Sequence, residues 1–212
     1  MKGSTQSSGS SQGLVQATSL DELTLVIVHA NDKHNPDLAG INNIQTLVDS
    51  GIASTIYEHK AHNSSRVHHR GVIIDNEENP GYYLLPGIFS SLPSKSSDII
   101  LVGGGIGNCH FGAYLAIMSQ LYNKPKSIHL PLDCIYETVV KDSDDGKYLA
   151  SSTVGLRHPA LNKYMGLVKM CSDHHSIQKD NVVMDSYEGQ RQTTLLIWST
   201  SDKLVDYLNQ QR

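Results

Sequence analysis

Apolar positions along the chain fall into short unbroken runs, separated by segments where they recur every three or four residues. "LTLVIVHA" and "DIILVGGG" are nearly continuous apolar runs rich in β-branched residues, the pattern of strands buried on both faces. "ASTIYEHKAH", "KSIHLPLDCIYE" and "QTTLLIWST" read as further strands, and "GVIID" as a short one. Helical spacing marks "INNIQTLVDSG" with its glycine stop, "HFGAYLAIMSQLYN", "HPALNKYMGLVKMCSDH" with Pro159 near its start, and "SDKLVDYLNQQ" behind a Ser/Asp cap signal. "GYYLLPGIFSSLPSKSSD" reads as loop and short helix, and "KDSDDGKYLASSTVGLR" as a solvated loop. Buried strands alternating with helices predict an α/β fold, a three-layer sandwich with a mostly parallel central sheet and helices on both faces.

Composition narrows this picture. Residues 1–18 open on a Ser/Gly-rich stretch that buries too little apolar surface to offset its ordering entropy, so a flexible tail is expected, followed by one domain over 19–212. The formal net charge of −4 argues against non-specific nucleic-acid binding, which needs a basic face. No apolar run approaches the roughly 20 residues of a membrane helix, and the N-terminus lacks the apolar core of a signal peptide. The expectation is a soluble, cytoplasmic protein that binds a small molecule and neither nucleic acid nor membrane. Its three cysteines, Cys109, Cys134 and Cys171, form no CxxC pair, which argues against a disulfide framework or a zinc knuckle. Cys134, in an apolar run, and Cys171, at a helix end, read as buried small residues.

In parallel sheets ligands sit at the carboxyl ends of strands. "HANDKHNPD", "EHKAHNSS", "GGGIGNCH" and "DCIYETVV" occupy those places, and three of the four are rich in His, Asp, Lys or Cys. The glycine turn admits three readings. As a dinucleotide cradle it has Gly103 and Gly105 but Asn108 where the third glycine belongs, and it lies halfway down the chain rather than at the first strand–helix turn. As a nucleophile mount it puts Cys109 at the first turn of a helix, where the dipole and free N–H groups favour a thiolate and can hold an oxyanion. As plain architecture it is a strand–helix turn with a small buried cysteine.

"SDIILVGGGIGNCHFGAYLAIMSQLYNKPKSIHLPLDCIYE" resembles the nucleophile segment of the isochorismatase-like cysteine hydrolases, a family that includes nicotinamidases. There a strand ends in a glycine and a cysteine follows six residues later at a helix start, the spacing of Gly103 and Cys109. Asp133 and Cys134 stand where the family has an Asp-Ala-like pair, and "LTLVIVHANDKH" and "HKAHNSSRVH" resemble its first strand and the stretch after its second. The resemblance implies a thioester mechanism on a small amide or acyl substrate. Cys109 would be the nucleophile, Asp32 the base or orienter, and Lys60 the partner of the thiolate. Gly105, Asn108, His110 and His62 would line the oxyanion and substrate site. Association into homo-oligomers is also common in that family. The helpers depart from its pattern: Val28 aligns with its general-base aspartate, "RVHHRG" offers no lysine, and Ile106 and Gly107 replace a Thr-Asp pair.

A relative of that fold without catalysis, serving as a ligand- or protein-binding module, is the alternative that these departures motivate. A further alternative is an ovarian-tumour-like cysteine protease, which "GIGNCHFGAYLAIMSQLY" resembles at Gly107, Asn108, Cys109 and Phe111. Its late histidine would have to be His174 or His175, in a helix-end context. Imidazole suits several transition metals. His62 and His68, six apart, are the candidate ligands should a divalent metal bind, but Lys60 replaces the aspartate that a nicotinamidase-like site would use. The expectation is a protein without a cofactor.

Overall fold

The computed structural model describes residues 23–28, 40–59, 65–69, 72–76, 98–107, 109–120, 125–137, 139–141, 148–150, 153–170, 174–186 and 193–212. The strands are β1 (Leu23–Val28), β2 (Thr55–His59), β3 (Ser65–His69), β4 (Val72–Asn76), β5 (Asp98–Gly103), β6 (Ser127–Pro131), β7 (Val139–Lys141), β8 (Tyr148–Ala150), β9 (His174–Lys179), β10 (Val182–Ser186) and β11 (Thr193–Trp198). The helices are α1 (Ile41–Asp49), α2 (Cys109–Gln120), α3 (Pro159–Met170) and α4 (Ser201–Gln210), with a 3₁₀ turn over Leu132–Cys134. Nine strands form one sheet in the order β10-β9-β11-β6-β5-β1-β2-β3-β4. The neighbours from β9 to β2 run parallel; the β2–β3, β3–β4 and β9–β10 pairs are antiparallel. The fold is therefore α/β on a mostly parallel sheet.

Strand alternation divides the core. Val26, Val28, Ile99, Leu101, Ile128, Leu130, Leu195 and Ile197 pack with Ala113, Tyr114, Ile117 and Met118 of α2 and Leu161, Tyr164 and Val168 of α3. Their neighbours Leu23, Leu25, Ile27, Ile100, Val102, Leu196 and Trp198 pack with Ile44 and Leu47 of α1 and Leu204 and Leu208 of α4. Successive side chains of a strand point to opposite faces, so both faces of β1, β5, β6 and β11 are covered, as the unbroken apolar runs of β1 and β5 predict. Among the described residues no helix is long and apolar enough to cross a membrane.

Several elements differ from expectation. "SRVHH" pairs as β3, making β2–β3–β4 an antiparallel meander at one edge. At the other edge β9 and β10 form a hairpin whose turn residues Asp180 and Asn181 both have positive φ, 45° and 68°. That conformation is the signature of a type I′ turn, matched to the twist of paired strands. His174 and His175 accordingly begin a strand rather than end a helix. Val182, Val183 and Met184 are exposed on β10, where the register shifts between Val183 and Asp185; such a bulge turns an edge strand away from further pairing. The segment expected as a solvated loop contains β8, which pairs antiparallel with β7, and Thr153, which forms an isolated bridge with Tyr136. Cys134 lies in the 3₁₀ turn after β6 rather than in the strand, and is buried as expected. The cap of α4 is Thr200, whose hydroxyl accepts from the Lys203 N–H at 3.4 Å, with Ser201 already in the first turn. The 1–18 tail, the "GYYLLPGIFSSLPSKSSD" segment up to its final Asp98, and Cys171 lie outside the described residues.

Candidate functional site

β1 and β5 are adjacent and parallel, and their last residues, Val28 and Gly103, are paired. The chain leaves β1 through α1 toward β2, and leaves β5 through α2 toward β6 on its other side. α1 and α2 join different halves of the core. The sheet order thus reverses between β1 and β5. In an open parallel sheet the crevice outside the carboxyl ends at such a point is where ligands bind. Cys109, the first residue of α2, stands directly after the turn that leaves β5 at this place.

The turn is tightly held. Gly103 has φ +77°, and a Cβ there would collide with the Val28 carbonyl oxygen. Only glycine meets both demands, the left-handed backbone and the close approach. Tyr136 N–H donates to the Gly104 carbonyl at 3.0 Å, and Ile106 N–H donates to the Tyr136 carbonyl at 2.9 Å. Gly105, expected to line the substrate site, is buried in this bridge, and its carbonyl accepts from the His110 N–H at 3.2 Å.

His110 is wholly buried, with its ring centroid 5.8 Å from that of Tyr164. Its Nδ1 lies 2.8 Å from the Gly103 carbonyl oxygen. A carbonyl only accepts, so Nδ1 carries the proton and Nε2 is bare. Nε2 has no hydrogen-bond partner among the described residues. Burial pushes the imidazole pKa down to about 4, against the opposing pull of the Gly103 carbonyl; His110 is therefore neutral at pH 7. The nearby Tyr136 hydroxyl is buried as well, its pKa raised first by desolvation and then by Cys134.

The loop after β6 is fixed by one carboxylate. Asp133 accepts from the Ser201 N–H at 2.7 Å and from the Ser201 hydroxyl at 2.9 Å, satisfying the first turn of α4. Its own carbonyl accepts from the Asn43 side chain at 3.0 Å. Gly40, at φ +85°, passes so close to that carbonyl that a Cβ would lie 2.7 Å from its oxygen. The adjacent Cys134 thiol is pushed far up by burial and then by the Asp133 charge. It is a core residue and not a reactive one.

A second polar cluster sits at the amino ends of β5 and β6, and sequence patterning gave no sign of it. Trp198 Nε1–H donates to His129 Nδ1 at 3.1 Å, His129 Nε2 lies 3.0 Å from Ser127 Oγ, and the Ser127 hydroxyl donates to Asp98. An indole N–H only donates, so the neutral His129 carries its proton on Nε2 and gives it to Ser127. A nucleophilic triad needs the reverse, a histidine that accepts the serine proton. This chain of bonds is structural. Desolvation pushes His129 down to about 4 although Asp98 pulls it up. Burial and then Asp98 also raise Tyr207, whose ring lies 4.9 Å from that of Trp198.

Of the residues expected to act, the structure places Cys109, Gly105 and His110 together at the β5–α2 turn. Asp32, Lys60, His62 and Asn108 lie outside the described residues, and His68 is in β3, opposite Ile56 of β2. Val28, aligned with the family's aspartate, is fully buried in the core. Among the described residues no three His, Cys, Asp or Glu side chains gather as a metal site requires. What fold and site define together is a class: an α/β protein on a mostly parallel sheet, with a cysteine-bearing glycine turn at its switch point. Compared with protein-family models, curated protein sequences and solved structures, the chain matches none.

Proposed function

We propose that the protein is a cysteine hydrolase of the isochorismatase-like type, built as a three-layer sandwich and acting on a small amide or related acyl compound. The observation that carries this reading is the place of Cys109, first in α2 and directly after the glycine turn at the carboxyl end of β5. Free N–H groups and the helix dipole favour a thiolate at such a position. In the proposed reaction Asp32 takes the Cys109 thiol proton, the thiolate attacks the carbonyl carbon, and the N–H groups around Asn108 and Cys109 hold the oxyanion. The amine then leaves with a proton supplied by Asp32, and a thioester forms. Water, deprotonated by Asp32, attacks the thioester and releases the acid and the thiol. Lys60 assists the thiolate. The reaction needs no cofactor and takes place in the cytoplasm.

A non-catalytic relative that binds a ligand or a protein partner is the second reading, favoured by the buried Val28 at the aspartate position. The protease reading fits less well, because His174 and His175 begin β9. Through the β9–β11–β6–β5 pairings Ser176 is level with Asp98, so His174 and His175 precede it at the end of the sheet opposite the β5–α2 turn. Incubation with a panel of small primary and secondary amides, followed by intact-mass analysis after acid quench, separates the first two readings. A catalyst gives product and an acyl adduct that maps to Cys109, and Cys109→Ala gives neither. Absence of turnover and adduct across the panel, with a ligand bound nonetheless, would establish the binding module instead.

A further inference from the structure

We infer that His110 is a positioning residue for Cys109: its imidazole N–H clamps the last carbonyl of β5 and so fixes the turn that leads into the cysteine. This rests on the reading of Cys109 as a nucleophile. Both ends of the clamp are closely packed. Gly103 is pressed against Val28 by a backbone that tolerates no Cβ, and the His110 ring is wholly buried beside Tyr164. The Nδ1–H to Gly103 bond of 2.8 Å closes a ring over Gly104 to Cys109, and the His110 backbone N–H binds the Gly105 carbonyl at 3.2 Å. From the far side Tyr136 holds Gly104 and Ile106. Cys109 is thus the residue next to the clamp, at the start of α2. Preorganised N–H donors act on a developing charge without first reorganising, so loosening the clamp weakens the support for thiolate and oxyanion alike. In this role His110 acts through the turn and not on the substrate. It stays neutral at pH 7, because burial disfavours its cation, and so it adds no second ionisation to the cysteine's profile.

The test compares the full chain with H110N, whose amide N–H can replace the Nδ1 donor, and H110F, which keeps a ring and has no donor. The readout is iodoacetamide alkylation mapped to Cys109, as a function of pH. The wild type should show one ionisation. H110N should keep the wild-type profile within about threefold, and H110F should lose about tenfold in rate at pH 7, the effect of raising a thiol pKa by one unit. Equal profiles for wild type and H110F would overturn the inference, as would equal losses in H110N and H110F. A wild-type thiol that itself titrates like a free one overturns the nucleophile reading instead, so the two failures are distinct. Nitrogen-15 chemical shifts of the wild-type imidazole provide a measurement that no folding defect can spoil. They should report protonated Nδ1 and bare Nε2 at pH 7; the opposite tautomer or a cation would refute the clamp.

Discussion

Lowering the pH from 7 to 5 should destabilise the protein steeply, because two wholly buried histidines resist protonation only while the chain is folded. His110 and His129 are both pushed from an ordinary 6.5 down to about 4 by desolvation. The unfolded chain binds more protons between those values, so the stability that each contributes is complete above pH 6.5 and is lost as the pH falls toward 4. A shift of this size corresponds to about 3 kcal/mol per histidine in full and about 2 kcal/mol by pH 5. Total stabilities are commonly only about 5–15 kcal/mol, so a combined loss of about 4 kcal/mol at pH 5 is easily measured. Trp198 is the only tryptophan and is hydrogen-bonded to His129, which makes its fluorescence a direct reporter in urea titrations from pH 7.5 to 5. His129→Gln and His110→Asn each remove one of the two ionisations, and each should recover about 2 kcal/mol of the acid-induced loss, whatever other groups titrate in common. Parallel pH dependence in wild type and both variants would refute the reasoning.

Gly103→Ala should cost more than about 2 kcal/mol, since it combines a left-handed backbone with a collision against the Val28 carbonyl; an unchanged urea midpoint would contradict that geometry. Asp133→Ala should lower stability by about 1–2 kcal/mol by uncapping the first turn of α4, with Asp133→Asn recovering part, as read by thermal melting. Alkylation of the native protein should spare Cys134, whose thiol is buried and pushed far up, until denaturant is added; labelling of Cys134 at pH 7 without denaturant would contradict its place in the core.

The strands that hold the site were legible because each is buried on both faces. "LTLVIV" and "TTLLIW" are covered at every position, and nothing but a central strand needs such a run. Two strands that lie one place in from the edges, β3 and β9, escaped for the opposite reason. "SRVHH" and "HHSIQK" mix polar and apolar residues, and what made them strands was pairing with a neighbour. The Asp-Asn pair at 180–181 was the available signal for the second hairpin. The Asp98–Ser127–His129–Trp198 chain was invisible because its members come from three strands and meet only once the register is known: Asp98 pairs with Ser127 and Trp198 with Pro131. The Gly103–Cys109 spacing, by contrast, is local, and it survives intact as a strand end, a turn and a helix start. The role of His110 was hidden because helical geometry places it about 100° around from Cys109, and only the structure reveals that it turns back to the strand.

The pH dependence of Cys109 alkylation, followed by peptide mapping so that the other two cysteines do not contribute, probes the proposed nucleophile most directly. A cysteine activated at the start of α2 should ionise well below the free-thiol value of about 8.5, with a single inflection. An apparent pKa at or above that value would contradict the nucleophile reading and leave the glycine turn as architecture alone.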